Sequence, residues 1–158
     1  WTRAAEVARE ALAIARQSTN PNRRGKMLAT IVRMLVSPRL AEVAKQASDE
    51  ALSSVPAIGD PATKGLVLAA AANRLAGAGQ VERAKQAADA ASDLLSYVTE
   101  APEACTTLLD LARAYSRLGS IWRAQLISRC RFNEPRMAGY VSILNNYVAE
   151  GRAQRRWW

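Results

Sequence analysis

The chain has 158 residues, of which 49 % are hydrophobic and only 6 % are aromatic. A chain of this length can bury roughly 70 % of its unfolded surface without a metal or a disulfide, and the low aromatic content favours packed helices over a β-sandwich. Histidine is absent, which removes the usual general base and the commonest metal ligand. No apolar run approaches the roughly 20 residues of a membrane helix. We therefore expect a soluble helical protein with no membrane span, metal site or cofactor.

The net charge of +8 is unevenly distributed along the chain. Residues 1–40 hold eight Lys/Arg against two Asp/Glu, residues 41–110 five against ten, and residues 111–158 nine against two. Basic ends around an acidic middle disfavour a uniform nucleic-acid-binding surface. Local basic patches are compatible with this distribution of charge.

Apolar residues recur at three- and four-residue steps in eight segments, and this spacing predicts helices. The segments are Ala4–Ala15, Met27–Val36, Leu40–Leu52, Leu66–Ala78, Val81–Leu95, Ala104–Leu118, Ile121–Cys130 and Met137–Ala149. Asn20 and Asp60 each precede a proline and are expected to be helix N-caps. Gly79 and Gly119 are expected to end helices in a left-handed conformation.

The helices repeat with a 40-residue period. Gly79 aligns with Gly119 and with Arg39, which stands where the other units have a glycine. The preceding helices then align through Leu28, Ile31, Val32 and Leu35; Leu68, Ala71, Ala72 and Leu75; and Leu108, Leu111, Ala112 and Tyr115. Ala44, Ala84 and Ala124 occupy one position in the following helices, where a small side chain allows close packing. Each repeat consists of a first and a second helix. Shifting the alignment back by a further 40 residues places Ala4, Ala8 and Ala11 in the second helix of a repeat, and the first helix of that repeat is missing. Such periods indicate stacked helix pairs.

The unit formed by Leu108, Leu111-Ala112, Tyr115, Gly119, Ile121, Ala124 and Ser128 resembles the tetratricopeptide-repeat family. The resemblance implies an all-α fold, a right-handed α-solenoid of stacked antiparallel helix pairs. It covers residues 1–158 as a single domain, which we expect to be a fragment of a longer protein. The period of 40 exceeds the family's usual 34.

In tetratricopeptide arrays the first helices line a concave groove that binds a partner's peptide or helix. The corresponding positions carry the polar side chains of Lys26, Arg33, Asn73, Arg113, Arg117 and Asn145. Guanidinium and amide groups in such a row could bind a carboxylate or an extended backbone. The alternative is that they are solvated residues on an open helix face.

The main functional hypothesis is therefore a protein–protein interaction scaffold or sensor module that binds a partner, which could be acidic. The alternatives are a nucleic-acid or anionic-surface binder, and a structural module that forms homo-oligomers through its basic ends and acidic middle. No catalytic constellation is present, because Ser and Cys lack a His partner, and the chain is not expected to be an enzyme.

Cys105 and Cys130 lack the spacing of a redox or zinc motif. They are expected to be reduced, buried thiols of a cytoplasmic protein. The high content of Ala and Arg is typical of a bacterial, GC-rich genome.

Overall fold

The computed structural model describes residues 2–97 and 101–120, and within these ranges the chain forms six α-helices and no β-strand. The helices are α1 (Thr2–Gln17), α2 (Pro21–Met34), α3 (Ala41–Ser54), α4 (Pro61–Gly77), α5 (Val81–Asp93) and α6 (Ala101–Arg117). Short 3₁₀ turns cover Pro38–Leu40, Val55–Ala57 and Leu95–Tyr97. The first six predicted helices are thus confirmed. The helices predicted over Ile121–Cys130 and Met137–Ala149 lie outside the described residues.

The two predicted N-caps are confirmed at α2 and α4. The side chain of Asn20 accepts a hydrogen bond from the backbone N–H of Arg23 at 3.1 Å. Asp60 accepts from the backbone N–H groups of Ala62 at 3.3 Å and Thr63 at 2.9 Å. The Thr63 hydroxyl also donates to Asp60, and it is the main reason that the pKa of Asp60 lies below its ordinary value. These side chains satisfy N–H groups that the first helical turn leaves unpaired.

Glycine ends two of the first helices as predicted, and Arg39 does not end a third. Gly79 has φ of 75° and Gly119 has φ of 81°, a conformation that is costly for residues with a Cβ. Arg39, which the 40-residue period aligns with Gly79, lies in the connection between α2 and α3. Pro38 starts a 3₁₀ turn there, and among the described residues no non-glycine residue has a positive φ.

Helices α2, α4 and α6 pack side by side in a row, with α4 in the centre. Helix α3 packs against α2 and α4, while α5 packs against α4 and α6, and α1 packs mainly against α2. Alanine fills the contacts between these helices, and Ala44 and Ala84 are fully buried, as the 40-residue period predicts. Ala124 lies outside the described residues. Small side chains allow the helices to approach closely.

Gly25 allows α2 to lie close to the start of α4. A Cβ atom at this position would lie 2.6 Å from Cδ1 of Ile58 and 3.2 Å from Cγ2 of Val67. Both of these side chains are buried, so they have little room to move. Helices α2 and α4 are therefore closely packed at this position. The sequence analysis did not single out Gly25.

Candidate functional site

A cleft of about 330 Å³ opens on the row of α2, α4 and α6, and we call it the arginine cleft. Its polar and charged lining residues are Arg33, Asn73, Arg74, Thr106, Asp110, Arg113 and Arg117, and its apolar ones are Val32, Val36, Ala70 and Leu109. Four arginines face one aspartate, so the cleft carries an excess of positive charge. Such a field attracts anionic ligands.

Asp110 joins the three helices of the row. Its side chain is almost fully buried, and its Oδ2 accepts a hydrogen bond from Nε of Arg33 in α2 at 2.5 Å. Its Oδ1 accepts from Nδ2 of Asn73 in α4 at 3.0 Å. Because a buried carboxylate needs partners to offset its lost hydration, these two contacts fix the positions of the arginine and the asparagine.

Asn73 is held from its other side by Arg117. The Nη1 atom of Arg117 donates to the backbone oxygen of Asn73 at 3.0 Å and also to its Oδ1. The Asn73 amide thus donates to Asp110 and accepts from Arg117, and these two contacts fix its orientation. The guanidinium lies beside Gly77, the last residue of α4, where the helix dipole favours a cation.

Among the described lining residues of the cleft, four arginines stand against one carboxylate. Nε of Arg33 binds Asp110, but its Nη2 is buried and has no hydrogen-bond partner within the described part of the chain. Burial, and secondly the charge of Arg117, lower the pKa of Arg74 below its ordinary value. Burial thus leaves one N–H group of Arg33 unsatisfied and makes the charge of Arg74 less favourable. A bound carboxylate would accept hydrogen bonds from these groups.

Four of the six predicted site residues line this one cleft: Arg33, Asn73, Arg113 and Arg117. Lys26 lies elsewhere on α2, where its Nζ is 2.7 Å from Oε1 of Glu103. Asn145 lies outside the described residues. These side chains already hold intramolecular partners: Arg33 and Asn73 bind Asp110, Arg117 binds Asn73, and Lys26 binds Glu103.

The sequence analysis missed Arg74 and the central role of Asp110. A usable signal existed for Asp110, because it precedes Arg113 by three residues and such residues share a helix face. Arg74 follows Asn73 directly, which places it about 100° further round α4. Its long side chain nevertheless lines the cleft.

In the described part of the chain, the Cys, Asp and Glu residues form no group of three that could hold a metal ion. Over the same residues, none of the helices has the length and apolar character needed to span a membrane. Cys105 is buried in the core, as predicted, and Cys130 lies outside the described ranges.

The arrangement of the arginine cleft is suited to binding an anion through guanidinium and amide donors. Its acceptors are already engaged by arginine and asparagine side chains. No protein-family model matches the chain, and neither a curated protein nor a solved structure does.

Proposed function

We propose that this protein is a cytoplasmic interaction module of the tetratricopeptide type, a right-handed solenoid of helix pairs that binds an acidic or carboxylate-ending segment of a partner protein. The packing of α2, α4 and α6 in a row supports this proposal. Further support comes from the glycines Gly79 and Gly119, which end α4 and α6 one 40-residue period apart. The binding site is the arginine cleft.

The observation that carries the proposal is the incompletely neutralised charge of the cleft. Nη2 of Arg33 is a buried donor without a hydrogen-bond partner among the described residues, although Nε of the same side chain binds Asp110. Arg74 lies near the like charge of Arg117. Ordinary solvated arginines would extend into water and would not be held in this way. A carboxylate that enters the cleft would accept hydrogen bonds from these groups, each worth about 1.5–3 kcal/mol when one partner is charged.

A protein partner fits the row better than a nucleic acid does. A nucleic-acid strand needs a continuous basic track for its phosphates, but α6 places the carboxylates of Glu103 and Asp110 on the same face. A short acidic segment needs only the cleft itself. The basic residues are thus concentrated in the arginine cleft, and carboxylates interrupt the basic surface along the row of α2, α4 and α6.

The test is a binding titration with short peptides of stated chemistry. One labelled peptide ends in several Asp and Glu residues with a free carboxylate, a second has the same sequence with Asn and Gln and an amidated end, and a third probe is a single-stranded oligonucleotide. The variant is Arg74→Gln, because this side chain carries charge in the cleft and forms no hydrogen bond with the other described residues. The control is Arg9→Gln, an exposed arginine of α1 outside the cleft.

We expect the acidic peptide to bind the unmodified chain and Arg9→Gln alike, and Arg74→Gln at least about tenfold more weakly, since tenfold corresponds to roughly 1.4 kcal/mol. The amide peptide should bind weakly to all three chains. Equal binding of both peptides, or equal loss with Arg9→Gln, would contradict the proposal. Stronger binding of the oligonucleotide, with a steep decrease as salt increases, would favour the nucleic-acid alternative.

A further inference from the structure

The arginine cleft contains two neighbouring arginines, Arg74 and Arg117, that no carboxylate of the described residues compensates. Burial lowers the pKa of Arg74, and the nearby positive charge of Arg117 lowers it further. Asp110 is the one carboxylate among the described lining residues, and its two oxygens bind Arg33 and Asn73. Within the described part of the chain, neither Arg74 nor Arg117 forms a salt bridge.

Arg117 is held in place by neutral groups of α4. Its Nη1 donates to the backbone oxygen of Asn73 at 3.0 Å and also to the Oδ1 atom of that residue. Because both acceptors are uncharged, they position the guanidinium without cancelling its charge. The dipole at the end of α4 corresponds to about half a negative charge, which offsets only part of the two positive charges. A positioned guanidinium and the half-buried guanidinium of Arg74 thus share an excess of positive charge.

The size of the cleft limits how a ligand can supply the compensating charge. Its volume of about 330 Å³ is near the lower end of the roughly 300–1,000 Å³ that is usual for ligand sites. Such a space admits one compact group, whereas a run of Asp and Glu residues carries only one charge on each side chain. A phosphate monoester carries about 1.5 to 2 negative charges at pH 7 on a single group with three acceptor oxygens. Two arginines can each form paired N–H···O contacts with such a group.

We infer that the arginine cleft binds a phosphorylated side chain of the partner protein, with Arg74 and Arg117 as the residues that contact its phosphate. The inference rests on the proposed function, because it names the chemical group that enters the proposed site. Nη2 of Arg33, which is buried without a hydrogen-bond partner among the described residues, supplies a further donor from α2. Clusters of arginine are a recurrent means of recognising phosphorylated segments.

The experiment uses the full chain and three labelled peptides that differ at a single position. That position carries phosphoserine, glutamate or serine, and binding is followed by fluorescence anisotropy, with inorganic phosphate and the unlabelled phosphoserine peptide as competitors. The variant is Arg74→Gln, and the control is Arg9→Gln on the exposed side of α1. We expect the unmodified chain and Arg9→Gln to bind the phosphoserine peptide at least tenfold more tightly than the glutamate peptide. In Arg74→Gln the ratio of these two affinities should fall, and the serine peptide should bind weakly throughout.

A pH series provides a second measurement that needs no variant. The second pKa of a phosphate monoester is about 6, so about a tenth of it is doubly charged at pH 5. We therefore expect the affinity for the phosphoserine peptide to fall about tenfold between pH 7.5 and pH 5, and that for the glutamate peptide by less than about twofold. The chain contains no histidine, and the charged groups that line the cleft from α2, α4 and α6 are four arginines and Asp110. These residue types ordinarily titrate outside that range of pH.

Equal affinities for the phosphoserine and glutamate peptides overturn the inference and leave the proposed function intact, because both peptides then bind the cleft as anions. A phosphoserine affinity that is constant with pH, or that Arg9→Gln lowers as much as Arg74→Gln does, also overturns it. Inorganic phosphate that competes as strongly as the unlabelled phosphoserine peptide overturns it in favour of free phosphate as the ligand. If neither charged peptide binds, the proposed function itself is contradicted, and the inference with it.

Discussion

Replacing Asp110 with asparagine keeps the size of the side chain and removes one of its two acceptors. In the native fold both oxygens accept, one from Arg33 and one from Asn73. In Asp110→Asn, the new side-chain NH₂ group must face the donor of either Arg33 or Asn73. Asn73 cannot rotate its amide to compensate, because its own oxygen accepts from Arg117. The variant therefore leaves two donors facing each other inside the cleft.

The expected loss in the free energy of unfolding follows from the burial of the Arg33–Asp110 pair. The Asp110 side chain is 4 % exposed and that of Arg33 is 23 % exposed, so water screens the interaction only partly. A hydrogen bond to a charged group is worth about 1.5–3 kcal/mol, and we expect the free energy of unfolding to fall by about 2–3 kcal/mol. For a chain of this size each kcal/mol lowers Tm by about 2–4 °C, which gives a decrease of about 4–12 °C.

The matched control makes the same change at an exposed ion pair. Asp49 pairs with Arg83 at 2.6 Å, but the two side chains are 42 % and 46 % exposed. Exposed pairs contribute about 0–1 kcal/mol, so Asp49→Asn should hardly change Tm. Both variants are compared by thermal and urea denaturation followed by far-UV circular dichroism, which reports the helix content. Equal losses for the two variants would refute the assigned role of Asp110.

Three further changes test the packing and the helix ends. Ala84→Leu should lower the free energy of unfolding by about 1–3 kcal/mol through overpacking, whereas Ala90→Leu, on the exposed side of the same helix, should have little effect in the same urea titration. Gly79→Ala should cost about 1–2 kcal/mol because of its positive φ, whereas Gly59→Ala meets no atom within 4 Å and should be tolerated, as melting curves would show. Asp60→Ala should cost about 0.5–2 kcal/mol at pH 7. Because the folded pKa of Asp60 is lowered, this difference should shrink as the pH falls from about 4 through that pKa, and denaturation at several pH values checks the trend.

The helical architecture was largely predictable because its causes are local. Apolar spacing marks the helices, and Asn20 and Asp60 mark two of their starts through side chains that bind N–H groups within three residues. Gly79 and Gly119 mark two ends for an equally local steric reason. Arg39 takes the aligned place without a glycine's conformation, because the neighbouring proline starts a 3₁₀ turn there.

The candidate site was only partly predictable because its contacts are distant in sequence. The helical period indicates that Arg33 and Asn73 share the surface of the row, but not that both bind Asp110, which lies 77 and 37 residues away. The pairing of Lys26 with Glu103 also spans 77 residues. Such contacts depend on how α2 and α6 approach each other beside α4, and the spacing within one helix does not contain that information.

A substitution at Arg74 tests whether the arginine cleft is a binding site or a structural ion-pair network. Its pKa is lowered by burial and by Arg117, so its charge is less favourable in the folded chain than in water. Arg74→Gln should therefore leave Tm unchanged or slightly higher while it weakens binding of the acidic peptide. Residues that serve binding often cost stability in this way. A clear decrease in Tm for Arg74→Gln, with peptide affinity unchanged, would instead show that this arginine stabilises the fold and takes no part in binding.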